Sequence, residues 1–200
     1  YTNLIEIKND ETIQFKEFEL TMFKPFSGHI FEESLLGNLI DSALVFTDGE
    51  ISAINFNDNT PDLIAAEKLS KKFKNIGLAM LNYNAAGPYP SCFDNLTNDE
   101  KKMEHDRILK RNFDHLCKLI PILKPQTVLP FAGSYIIGGK NYFKNNYLGT
   151  TTWDECCKYL IENCNYNSKF ICMREKQIYD ILNQKLNSSY TEIDKKHMKE

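Results

Sequence analysis

Hydrophobic and polar residues alternate along this chain with two different periods, and the change of period marks out its elements. From Ile13 to Phe23 apolar and polar positions largely alternate, with a break at Lys16-Glu17. That spacing predicts a hairpin whose second strand covers one face of a core. Before it, Leu4-Ile5-Glu6-Ile7 reads as a short strand closed by a turn at Asn9-Asp10. Pro25 to Gly37 carries no period and reads as irregular chain. Leu39 to Phe46 is rich in apolar residues and reads as a strand. Asp48-Gly49 then signals a tight turn, because glycine accepts a positive φ without steric cost, and Ile51 to Phe56 pairs back.

The helical period begins after that hairpin. Pro61 suits the start of a helix, where its missing N–H would have no partner. Leu63, Ile64, Ala66, Leu69 and Phe73 supply an apolar stripe. Ile76 to Leu81 is a continuous apolar run of the buried-strand type. Asn82 to Leu96 reads as loop, rich in Gly, Pro, Asn and Ser. Thr97-Asn98-Asp99-Glu100 has the form of a capping box, and the helix it opens runs to about Leu123, before Pro125. Val128-Leu129 is a very short strand, Phe131 to Tyr135 a turn, and Trp153 to Asn163 a further helix. Lys169 to Met173 and Gln177 to Leu182 read as a terminal hairpin, and Tyr190 to Glu200 as a charged tail. Strands alternating with helices indicate an α/β fold, a mixed sheet covered by helices. No Gly/Ser linker divides residues 1–200, so a single domain is expected.

Composition narrows the function classes. The 200 residues are 42% hydrophobic and 26% charged, within the ordinary globular range. A net charge of −3 and a pI near 5.9 argue against a dedicated nucleic-acid binder. No apolar run approaches the ~20 residues of a membrane span, so no membrane partner is expected. There is neither a signal peptide nor an initiator Met at Tyr1, and the expectation is a cytoplasmic chain that starts inside a longer protein. The six cysteines match no zinc spacing and are expected as free thiols. Cys156 and Cys157 are adjacent in a helical pattern and point to different sides of it, which suits packing better than bridging. Asn95-Leu96-Thr97 matches a glycosylation acceptor but lacks a secretory context.

Candidate chemistry gathers at strand ends. Ile54-Asn55-Phe56-Asn57-Asp58 delivers a carboxylate into a turn at the end of an apolar strand. Such an Asp can cap backbone in an Asx-turn, or it can ligate a divalent metal that activates water. His29 is the one His in an irregular segment and is the candidate imidazole partner. His105 and His115 lie on the long charged helix and are expected to be solvated. Tyr83 to Phe93 and Pro130 to Tyr135 also follow strand ends, and loops at one sheet edge can converge on a pocket. There Gly87 would let backbone approach a ligand closely.

Taken together, Asp48-Gly49, Ile54 to Asp58, Ala85-Ala86-Gly87-Pro88-Tyr89-Pro90, the charged helix from Glu100 and Leu129 to Tyr135 resemble the second half of a metallo-β-lactamase-fold domain. The likeness runs from about Thr47 to Tyr135. It is closest to the branch holding the metallo-β-lactamase-like domain of CMP-N-acetylneuraminate hydroxylase. Ascorbate-6-phosphate lactonase-type hydrolases and the N-acyl-phosphatidylethanolamine phospholipase type are more distant. The resemblance implies an αββα sandwich of which this chain forms mainly the C-terminal half. Asp58, and His29 with it, would be metal ligands for zinc, manganese or iron. Asn84, Ser134 and Tyr135 would orient a small-molecule substrate, such as a phosphorylated or nucleotide-linked sugar, for attack by metal-bound hydroxide.

The departures from the family pattern are specific. The HxHxDH signature is not in these residues and would lie upstream of Tyr1. The family's last His ligand has no counterpart in Leu129 to Tyr135, and Rieske cysteine–histidine pairs are absent. Half a sandwich would expose one sheet face, which is expected to meet a missing N-terminal half or another chain. Three readings follow: a metal-dependent hydrolase module, the iron-binding domain of a Rieske-type sugar-nucleotide hydroxylase system, or a non-catalytic binding module with a degenerate metal site.

Overall fold

The computed structural model describes residues 5–26, 42–85 and 87–193. Leu4, Leu39 to Asp41, Ala86 and His29 therefore lie outside the described residues, as do residues 194–200 of the charged tail. The core is a seven-stranded sheet in plain sequence order. Its first four strands are antiparallel: β1 (Thr12–Phe15), β2 (Phe18–Phe23), β3 (Ala43–Thr47) and β4 (Ser52–Asn55). β5 (Ile76–Leu81), β6 (Thr127–Pro130) and β7 (Lys169–Phe170) continue it in parallel. Each parallel step is bridged by a helix: α1 (Leu63–Lys72), α2 (Asn98–Leu123) and α3 (Trp153–Asn163). Three crossovers advancing in one direction across a sheet place their helices on the same face. The core agrees, with Ala66, Leu69, Phe113, Leu116, Ile120 and Leu160 packed on Val45, Ile54, Ala79, Leu81 and Val128.

The predicted mixed sheet covered by helices is present. The α2 capping box forms, with Thr97 N–H bonded to Glu100 at 2.7 Å. Gly49 adopts φ +92° in the β3–β4 turn, where a side chain would be strained.

Several expectations are corrected. Pro61 does not open α1; Asp62 caps it by accepting from Ala65 N–H at 2.7 Å, which places Pro61 before the cap. Leu63 and Ile64 are 38% and 66% exposed, so the buried stripe is Ala66, Leu69 and Phe73. Ile5 to Ile7 make no strand. Lys169-Phe170 joins the main sheet instead of a terminal hairpin, because the free edge of β6 offers backbone partners: Lys169 N–H to Gln126 O at 2.8 Å and Ile171 N–H to Val128 O at 3.0 Å. The hairpin forms further on, between β8 (Tyr179–Asp180) and β9 (Lys185–Leu186). A 3-10 helix, Gly139–Tyr147, fills a stretch left unassigned from the sequence.

The sheet's second face is only partly covered. Strand registers place Phe15, Phe18, Leu44, Phe46, Met80 and Leu129 on the side away from the helices. Phe15, Phe18 and Phe46 stay 48%, 39% and 37% exposed. The β8–β9 hairpin covers only the end where β5 and β6 begin: Tyr179 Oη meets Thr127 Oγ1 at 2.7 Å, and Ile181 lies over Gly77. A continuous apolar patch of this kind is unusual on an isolated soluble domain.

Candidate functional site

Because β4, β5 and β6 are parallel, their C-terminal ends share one edge of the sheet. The loops after them meet there. The first loop turns at Asn57, whose φ of +48° is left-handed, a conformation Asn tolerates. The turn is held by Asn55 Oδ1 accepting from Asn57 N–H at 2.9 Å and by Asn59 N–H donating to Phe56 O at 2.8 Å. Buried Asn59 ties this loop to the chain after β2, accepting from Phe26 N–H at 2.7 Å and donating to Lys24 O at 3.2 Å. With the backbone groups so satisfied, Asp58 is left for another task. Its carboxylate accepts from Asn82 Nδ2 of the second loop at 2.8 Å.

Asp58 stands on a cleft of about 470 Å³ lined also by Thr60, Asn82, Asn84, Arg111, Asn112 and His115. The last three come from α2. Arg111 Nε and Nη2 donate to Asn112 Oδ1 at 3.3 and 3.2 Å, and Arg111 forms no ion pair among the described residues. His115 donates from Nε2 to Pro61 O at 3.1 Å. The carbonyl can only accept, so Nε2 carries the hydrogen of this bond. The cleft thus sets a carboxylate, a guanidinium, an imidazole and several amides around one small polar volume. Such a set can bind a compact ligand by charge and hydrogen bonds.

The other anticipated residues are brought close but arranged differently. Asn84 is a strut: its Nδ2 donates to Gly133 O at 3.2 Å and Thr151 O at 3.0 Å, and its Oδ1 accepts from Thr151 N–H at 3.0 Å. Tyr135 Oη donates to Gly87 O at 2.7 Å, tying the second and third loops together. A Cβ at Gly87 would meet nothing within 4 Å. Ser134 and Tyr135 line a second cleft of about 560 Å³ beside the first, with His105, Phe113, Tyr142 and Asn145. His105 is half-buried there and its Nδ1 bonds Leu148 O. So neither His105 nor His115 is merely solvated. Their spacing held the signal: Ile108, Asn112, His115 and Leu119 recur at three and four residues, and Ile108 and Leu119 are buried.

Among the described residues no group of three His, Cys, Asp or Glu side chains could hold a metal ion. Asp58 and His115 are the donors of that kind on the first cleft, and Arg111 beside them opposes a second cation. A complete metal centre does not fit the described residues alone; further ligands would have to come from elsewhere, His29 included.

The fold and cleft define a mixed α/β protein with a polar site at the C-terminal edge of its parallel strands. No family model matches the sequence. Two Mycobacterium tuberculosis proteins, from strains CDC 1551 and H37Rv and each provisionally named a Rieske 2Fe-2S iron–sulfur protein, are 41% identical over 58 residues. That stretch is 29% of this chain and 11% of theirs. Among solved structures, CmlA, a diiron β-hydroxylase from Streptomyces venezuelae, is similar at TM-score 0.47 and 14% identity over 84% of this chain and 33% of its own. A protein from Parabacteroides distasonis, provisionally titled a metal-dependent hydrolase, is similar at TM-score 0.44 and 14% identity over 83% of this chain and 56% of its own. No helix among the described residues is long and apolar enough to cross a membrane.

Proposed function

We propose that this chain is the C-terminal half of a metallo-β-lactamase-like domain and serves as a metal-dependent hydrolase-like module for a small polar substrate. The observation that carries the reading is Asp58: a strand-end carboxylate, free of backbone capping, facing a polar cleft where three loops of one sheet edge meet. In this reading Asp58 supplies one ligand to a divalent metal, and the remaining ligands come from outside the described residues. Arg111, Asn82 and Asn112 favour an anionic, oxygen-rich substrate such as a sugar phosphate. The open apolar sheet face supports the half-domain reading, since a second apolar layer would bury Phe18 and Phe46.

The test is a calorimetric titration of the chain with zinc, manganese(II) and iron(II), alongside Asp58→Ala and Asp58→Asn. Tenfold or greater loss of affinity in both variants, with unchanged circular dichroism, is expected. Equal uptake by Asp58→Ala would remove Asp58 from any metal site. No uptake by the wild-type chain, both alone and joined to the segment that its gene encodes upstream, would favour a non-catalytic binding module.

A second reading has its own support in the 41% identity to the Rieske-named proteins. The chain would then be a companion segment of a Rieske-type oxygenase system. The iron–sulfur cluster would sit elsewhere, since among the described residues no group of three His, Cys, Asp or Glu side chains is placed to hold one. An iron-specific response in the same titration, with zinc and manganese silent, distinguishes it.

A further inference from the structure

α3 carries a feature unrelated to the Asp58 cleft. Cys157, in its second turn, and Cys172, just beyond β7, bring their sulfurs to 3.1 Å. Both residues are buried, at 6% and 8% exposure. The Cys157 thiol also donates to Ile171 O at 3.5 Å, and the Cys172 sulfur lies 3.7 Å from Trp153 O, so each sulfur is held in place from a second side. The hydrogen bond with Cys172, and burial after it, push the Cys157 thiol well above its ordinary range. The pair is not sealed in. It lies on a cleft of about 830 Å³ whose other walls include Ile161, Phe170, Leu186 and Tyr190.

We propose that Cys157 and Cys172 form a reversible dithiol–disulfide site that reacts with small disulfides entering this cleft. The exchange balances without any other oxidant. One thiol loses its proton and attacks a sulfur of oxidised glutathione, releasing one glutathione thiolate and leaving a mixed disulfide on the protein. The second thiol loses its proton and displaces the second glutathione as thiolate. Two protein S–H bonds and one glutathione S–S bond are lost. One protein S–S bond and two glutathione thiols are gained. The required movement is small, from 3.1 Å to the ~2.05 Å of a disulfide.

The bond would tie α3 to the edge strand of the sheet across 15 residues of chain. α3 begins at Trp153, capped by Thr152, and the preceding Thr151 makes two hydrogen bonds with Asn84. Oxidation would therefore also fix the strut between the two clefts. A second thiol contact, Cys117 with Cys164, joins α2 to the other end of α3 and provides an internal comparison.

The experiment titrates the purified chain, in a Cys92→Ser background that removes the exposed thiol, with oxidised and reduced glutathione at fixed ratios. Peptide mapping without reduction is expected to find a cross-link between the Cys157 and Cys172 peptides, two hydrogens lighter. The thermal midpoint should rise by about 6–12 °C, the effect of closing a 15-residue loop in a chain of this size. Cys157→Ser and Cys172→Ser should each abolish the cross-link and the rise, while Cys117→Ser leaves both intact. A cross-link at Cys117–Cys164 that precedes it, or a folded chain whose Cys157 and Cys172 remain thiols at oxidising ratios, overturns the proposal.

Discussion

Asn84 is the residue for which the structure makes its sharpest demand. Read from the sequence it faces substrate; in the fold it holds three backbone groups on two other loops. Replacement by Ala removes the donors to Gly133 O and Thr151 O and the acceptor for Thr151 N–H. Each such bond contributes about 1 kcal/mol net, and water partly replaces the exposed one to Gly133 O. The sum is roughly 2–3 kcal/mol. For a chain near 200 residues, that lowers the thermal midpoint by about 4–12 °C. Asn84→Asp sharpens the test. It keeps the acceptor for Thr151 N–H but turns a carboxylate oxygen toward two carbonyls, so near neutral pH it should destabilise at least as much as Ala. Lowering the pH until that carboxyl protonates restores a donor, and part of the loss should return. Far-ultraviolet circular dichroism during heating, with urea titration at two pH values, reads both effects. An Asn84→Ala midpoint within about 1 °C of the wild type, with no pH-dependent recovery in Asn84→Asp, would refute the strut and return Asn84 to the ligand-binding set.

Two further outcomes follow from packing and charge. Gly77→Ala places a Cβ 2.5 Å from Ile181 Cγ2 and 2.7 Å from Ile51 Cγ1. It should cost about 1–3 kcal/mol by urea unfolding, and adding Ile181→Ala should recover part of that if the β8–β9 hairpin packs where described. Glu104 is held down to about 2 by hydrogen bonds from Arg107 and Tyr89. A depressed carboxyl contributes stability that is complete above its ordinary value of 4.5 and is lost as pH falls toward about 2. The wild type should therefore lose urea resistance across that window slightly more steeply than Glu104→Gln, the exposed setting keeping the difference small; parallel curves would count against the hydrogen bonds that Tyr89 and Arg107 make to Glu104.

Much of the architecture was legible in one dimension. Local rules sufficed for β3–β4 with Asp48-Gly49, for β5, and for α2 with its capping box, because each is settled by neighbours within a few residues. Asp58 at a strand end was legible for the same reason. The terminal region was not: whether Lys169-Phe170 folds on the following segment or extends a sheet depends on the free edge of β6, some forty residues away in the chain. Leu63 and Ile64 misled because an apolar residue in the first turn of a helix need not face the sheet.

The sequence by itself determined most of the elements from β1 to α3, their order and a strand-end carboxylate, all consequences of short-range periodicity and turn chemistry. Only the tertiary structure decided what surrounds that carboxylate. Parallel pairing of β4, β5 and β6 carried three loops to one edge, and the packing of α2 on the sheet turned Arg111, Asn112 and His115 into the same cleft. The meeting of Cys157 with Cys172 has the same origin. These are contacts between side chains far apart in sequence, fixed by which faces bury together; the three-and-four spacing along α2 marks its inward side but not what that side meets.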